Sequence, residues 1–290
     1  MPDLQILDFD NLWNYDDPAT TERQFRQLLM AGFTIQDAAY RAQLLTQIAR
    51  AQGLQRHFEA AHQTLDQAAK LLTPELMTAR VRYLLERGRV FNSSEKVDQA
   101  RPLFLQAFQL AQSAEEDFYA VDAAHMLAIV ESGDEQLAWN LKALTLAEAS
   151  EQPRAKKWLG SLYNNIGWTH HDAGRYDEAL TIFEKALAWH KEYGKPSTLR
   201  IAKWSVARAL RSLGRVDEAL ERQRALLVEH EQAALSVCSF SAKLMKPAHT
   251  LPALTPNSLR IVGLSKTKSV GWNASSSLGR EDGNKRIYFL

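Results

Sequence analysis

Small and apolar residues recur along this chain at helical spacing, and the pattern returns about every 40 residues. In the clearest copy, Leu162, Ile166 and Gly167 fall on one face of a helix, because residues four apart lie one above the other. Gly174 then suits the left-handed backbone that ends a helix. Asp177 and Glu178 open a second helix, where carboxylates complement the dipole by roughly 0.3–1 kcal/mol each. Ala179, Ile182, Phe183, Ala186 and Leu187 follow with helical intervals. The pattern predicts an antiparallel helix pair in which Phe183 fills the gap left by small residues. One such pair has too little core of its own, so neighbours must stack on it.

The heptapeptide Gly174–Leu180 returns as Gly214–Leu220 with a single change, Tyr176 to Val216. Gly167 is followed by Ala179 twelve residues on and by Ala186 seven further. The same two intervals link Ala207, Ala219 and Leu226; Gly88, Ala100 and Ala107; and Ala49, Ala61 and Ala68. A weaker copy holds Ala124 and Ala143, with Gln136 where alanine is expected. The last small positions are spaced by 39, 36, 43 and 40 residues. Fixed-period self-similarity of this kind marks a stacked array. The expected fold is therefore all-α: a solenoid of about five antiparallel helix pairs over residues 19–232.

Composition agrees. Ala and Leu each occur 40 times in 290 residues, whereas Gly (13) and Pro (9) are scarce, which suits helices and argues against a β-sandwich or a disordered chain. The formal net charge of +1 provides no overall field towards nucleic acid or an anionic membrane. A single cysteine excludes an intramolecular disulfide framework and a multi-cysteine zinc site. Neither a basic, apolar leader nor a long apolar run is present, so the expectation is a cytoplasmic protein without a membrane span.

The residues quoted resemble the tetratricopeptide repeat family. The likeness is strongest over 158–226, through Tyr163, Ile166, Gly167, His170, Ala179, Phe183 and Ala186. It extends to 84–107 through Leu84, Gly88, Phe91, Ala100, Phe104 and Ala107. It weakens over 45–68, where the turn Gln52–His57 reads as about two residues too long, and over 120–143, where Asn140 stands in an aromatic's place. The resemblance implies a right-handed superhelix whose first helices line a concave groove.

The two ends differ from this core. Residues 1–18 are acidic and aromatic, with Phe9, Trp13 and Tyr15, and read as a docking segment or an N-terminal cap. Asp17 and Pro18 signal a helix start. Beyond residue 232 the composition changes: the 58 residues 233–290 hold nine serines, as many as 1–232, and carry +6 against −5 for the rest. Two readings stay open, a basic disordered tail or translation out of frame in place of further repeats. The second is favoured, because arrays normally end in a polar capping helix and none follows Leu227 and Val228. It would leave an uncovered apolar face and a tendency to self-associate.

Candidate chemistry is sparse. His170 and His171 are adjacent and point about 100° apart on a helix, so they rarely share a metal; His170 is expected in the core. No phosphate loop, zinc-protease motif or nucleophile elbow is present. No cofactor, metal or catalytic role is expected. The basic tail residues are too dispersed for a nucleic-acid interface. What remains is the groove that the resemblance implies. Positions offset from the small residue of each first helix give Arg50, Arg89, His125, Asn164, Trp168, His171, Trp204, Arg208 and Arg211 as partner-binding candidates. Arginine pairs bidentately with carboxylates, and tryptophan supplies large contact area. The expected function is a non-catalytic interaction scaffold holding a protein or peptide, acidic by this stripe. The alternative is a regulatory sensor whose superhelix responds to a signalling peptide.

Overall fold

The computed structural model describes residues 8–30 and 37–244, with side chains as far as residue 232. A helix α1, Pro18–Leu29, precedes five helix pairs. The pairs are α2 (Ala38–Leu54) with α3 (Phe58–Ala69), α4 (Met77–Ser93) with α5 (Val97–Ser113), and α6 (Asp117–Val130) with α7 (Gly133–Ala149). They continue with α8 (Leu159–Asp172) and α9 (Tyr176–Tyr193), then α10 (Pro196–Ser212) and α11 (Val216–Leu244). No strand occurs among the described residues. Each helix packs mainly on its partner and on the next pair, which is the nearest-neighbour architecture of a solenoid. The last helix runs on to Leu244, past the break in composition at residue 232; expectations for residues 1–7 and 245–290 lie outside the described residues.

The small positions work as expected. Leu162 and Ile166 are fully enclosed, as are Ala179 and Phe183. A Cβ added to Gly167 would lie 2.4 Å from the Phe183 ring, and one on Gly88 would lie 2.5 Å from Phe104. Those two pairs thus seat a phenylalanine from the second helix against a glycine of the first. Where the first helix carries alanine, the facing residue is smaller: Ala49 shares a buried cluster with Leu65, and α6, with Ala124, pairs with the α7 helix that carries buried Asn140. The twelve- and seven-residue intervals hold through this pair although position 140 lacks the aromatic.

The turns share a geometry as well. Seven residues after each small position the backbone is left-handed, at Arg56 (φ 62°), Glu95 (64°), Gly174 (74°) and Gly214 (77°). The turn at 52–57 is therefore in register with the others, which corrects the expected two-residue excess. The third pair departs: α6 ends early, its cap Glu131 is extended, and Gly133 (φ 59°) opens the second helix. This local difference explains the weak likeness over 120–143. The longest interval, between the third and fourth pairs, contains one turn of helix at Pro153–Lys156 that buries Ala155.

Candidate functional site

The first helices carry two polar positions three residues apart, one after and two before the small residue. One after are Arg50, Arg89, His125, Trp168 and Arg208. Two before are Gln47, Glu86, Asp122, Asn165 and Ser205, and all five are at most 5% exposed. Buried polar groups require partners, and here they find one another across pairs. Glu86 accepts from Arg50 at 3.2 Å and from Arg89 at 2.6 Å. Arg89 also donates to Asp122. The Asn165 amide nitrogen lies 3.4 Å from His125 Nδ1. The result is a ladder that runs from α2 to α8, each rung joining the position after one small residue to the position before the next.

The ladder corrects part of the expected binding stripe. His125 is fully enclosed, tilted against the Trp158 ring. Burial, outweighing the Asp122 charge and assisted by Arg89, pushes it down to about 4, so it is neutral near pH 7. Asn164 is 3% exposed and lines a cavity of about 90 Å³ with Gly160, His190 and Thr198. His171 is 9% exposed, with Nε2 2.9 Å from Ser212 Oγ and its ring against Trp168 and Tyr176. All three side chains are enclosed by contacts within the array and offer little surface to a partner. The histidine expected in the core, His170, is half-buried instead and accepts from Arg175 Nε at 2.9 Å. Arg50 and Arg89 lie on the stripe but are neutralised within it, with side chains 12% and 11% exposed.

The last two pairs keep an open surface. Trp204 is 41% exposed. Its ring lies 5.6 Å from that of half-buried Trp168 at 33°, and Trp168 rests edge-on against Phe183. Arg208 is half-buried and Arg211 exposed, one and two turns along α10 from Trp204. Of the nine expected residues, Trp168, Trp204, Arg208 and Arg211 are thus brought together on one face.

The first three pairs carry something different on the same stripe. Residues 8–17 run across it, with a turn of 3₁₀-helix at Phe9–Leu12. Asp10 bonds Arg82 on α4 and, at 2.8 Å, Arg154. Trp13 Nε1 donates to Gln47 Oε1 at 3.0 Å. Although burial opposes it, hydrogen bonds and charge from Arg82, with Arg154 beside it, hold the Asp10 carboxyl below the usual range.

Fold and stripe together define a helical-repeat solenoid. Residues 158–227 match the family model described as tetratricopeptide repeat. Among solved structures, BtubC (BKLC) from P. vanneervenii is 14% identical and superposes with a TM-score of 0.55, covering 91% of this chain and 100% of its own. A Podosopora anserina putative kinesin light chain with nearly identical TPR-like repeats is 20% identical, with a TM-score of 0.50, covering 67% of this chain and 98% of its own. A Rap protein complexed with Competence and Sporulation Factor is 19% identical, with a TM-score of 0.50, covering 63% of this chain and 53% of its own. Curated proteins yield no match. Residues 158–227 are thus similar to tetratricopeptide repeats, and the chain shares the helical-repeat fold of these structures.

Proposed function

We propose that the chain is a non-catalytic interaction scaffold that holds a peptide or protein segment on the open face of its last two pairs. The observation that carries this reading is the exposed Trp204, tilted on Trp168 in the region that matches the family model. An aromatic side chain half out of water, seated on a second aromatic and flanked by arginines, is the composition of an interface anchor. Arg211 suits a carboxylate on the partner. An acidic partner is not expected at the ladder, where Glu86 and Asp122 already neutralise Arg50 and Arg89. The conspicuous titratable groups of the first helices serve packing, which is why the reading is binding without chemistry. The Rap protein of the same fold, complexed with Competence and Sporulation Factor, supports a ligand-holding role for such an array.

The test selects a displayed peptide library on the full chain. Selected sequences are then titrated against the parent and against Trp204→Ala and Arg211→Glu variants of matched helicity and melting. Both variants should bind at least ten-fold more weakly. Equal affinity in all three would sink the assignment of the site.

A further inference from the structure

Arginines on and beside the stripe are neutralised in two ways. Arg50 and Arg89 find their carboxylates on neighbouring first helices. Arg82 and Arg154 do not: among the described residues, the one carboxylate that either pairs with is Asp10, which precedes the repeats altogether. The Arg82 side chain is 6% exposed, so a charge-assisted site built by the solenoid is filled by a segment from outside it. The rest of that segment seats like a ligand. Phe9 lies under the Arg82 guanidinium, 5.0 Å from ring to cation, and edge-on to Tyr40 at 5.1 Å. Trp13 and Tyr15 stack at 4.7 Å, and Arg50 lies 5.9 and 5.7 Å from the two rings. Arg154 comes from the extra turn at Pro153–Lys156 and is itself held 3.9 Å over Phe118. The longest interval in the array thus supplies half of the carboxylate clamp.

We propose that residues 8–15 are an internal ligand, occupying the surface of the first three pairs until a partner segment with a carboxylate and aromatic side chains at similar spacing displaces them. The surface is distinct from the open face of the last two pairs, so either reading stands or fails alone. A tethered segment competes at an effective concentration of roughly millimolar, so the parent protein should hide the site from weak external peptides.

The probe is a fluorescently labelled synthetic peptide of residues 8–17, followed by anisotropy. The full chain carrying Asp10→Ala and Trp13→Ala should bind it at least ten-fold more tightly than the parent, and Arg82→Ala added to that variant should abolish binding. A well-folded double variant that ignores the peptide would overturn the proposal. Hydrogen exchange on the unaltered chain gives a second readout that needs no variant. The amides of Asn11–Tyr15 should open at lower free energy than those of α2 and α4. Exchange at the same free energy as those helices would show a permanent cap and overturn the proposal.

Discussion

His125 occupies the same register position as Arg50 and Arg89, yet it carries no charge, because no water reaches it and Arg89 lies nearby. Its proton affinity in the folded protein is depressed from the ordinary 6.5 to about 4. The unfolded chain therefore binds a proton more readily, and the stability this site provides is complete above about pH 6.5 and is lost as pH falls towards 4. His62, His170, His171 and His190 are depressed in the same direction, first by burial. Urea unfolding at pH 7 and at pH 4.5 should show this loss, and His125→Gln should reduce it by on the order of 2–3 kcal/mol. A variant with the parent's full pH dependence would exclude His125 as its source. Glu86 is the second residue of consequence. Removing its charge by Glu86→Gln leaves buried Arg50 without its carboxylate and Arg89 with Asp122 alone, and a loss of about 3 kcal/mol in denaturant titration is expected. The same experiment on Arg154→Ala, whose side chain is 45% exposed, should show less than about 1 kcal/mol. These roles were half legible. The arginines stand out in the sequence, but the polar residues two positions before each small residue, which decide the arginines' fate, also recur and were the signal to follow.

At the scale of the helix pair, size matching between first and second helices sets the approach. Gly167→Ala should cost about 1–3 kcal/mol through overpacking against Phe183. Combining it with Phe183→Leu should cost less than the sum of the two single changes, a coupling that a double-mutant cycle measures directly. Additive costs would mean that the ring has room to move aside. The turns invite the opposite experiment. Glu95 holds a left-handed backbone where the fourth and fifth pairs use glycine. Glu95→Gly should therefore raise the melting temperature, by relief of about 0.5–1 kcal/mol of local strain. Helix starts were readable: Asp17 accepts from the Thr20 amide at 3.0 Å, just ahead of Pro18. The third pair was hard to read because its turn uses a different geometry while its core intervals are unchanged. Family likeness weighs turn and aromatic together, whereas the helix register depends on the small residues.

Among the described residues, the array is unevenly supported along its length. One buried cluster joins side chains from Val81 to Ile166 across three pairs, while the last two pairs share a separate, smaller one that ends at Ala219. In a stack held by neighbour contacts, the end with fewer of them opens first. Native-state hydrogen exchange should therefore show the slowest amides in α5–α7 and faster ones in α10 and the start of α11. Uniform protection along the array would contradict this. The gradient bears on the proposed function, since the face with Trp204 and Arg211 belongs to the less supported end, where a bound segment would add most to order.

The sequence by itself determined the helix pairs, their number, their inward faces and most of their turns. All of these depend on spacings of three to twelve residues, within which each residue type states its preference locally. Only the tertiary structure decided which polar side chains remain for a partner. Arg50 meets Glu86 across 36 positions, and Arg154 meets Asp10 across 144. A charged side chain on a helix face has the same local signature whether water, a neighbouring helix or the chain's own N-terminal segment lies opposite it. That choice is made by stacking, which brings distant residues to one surface and leaves Trp204 and Arg211 exposed where the corresponding faces of earlier pairs are filled.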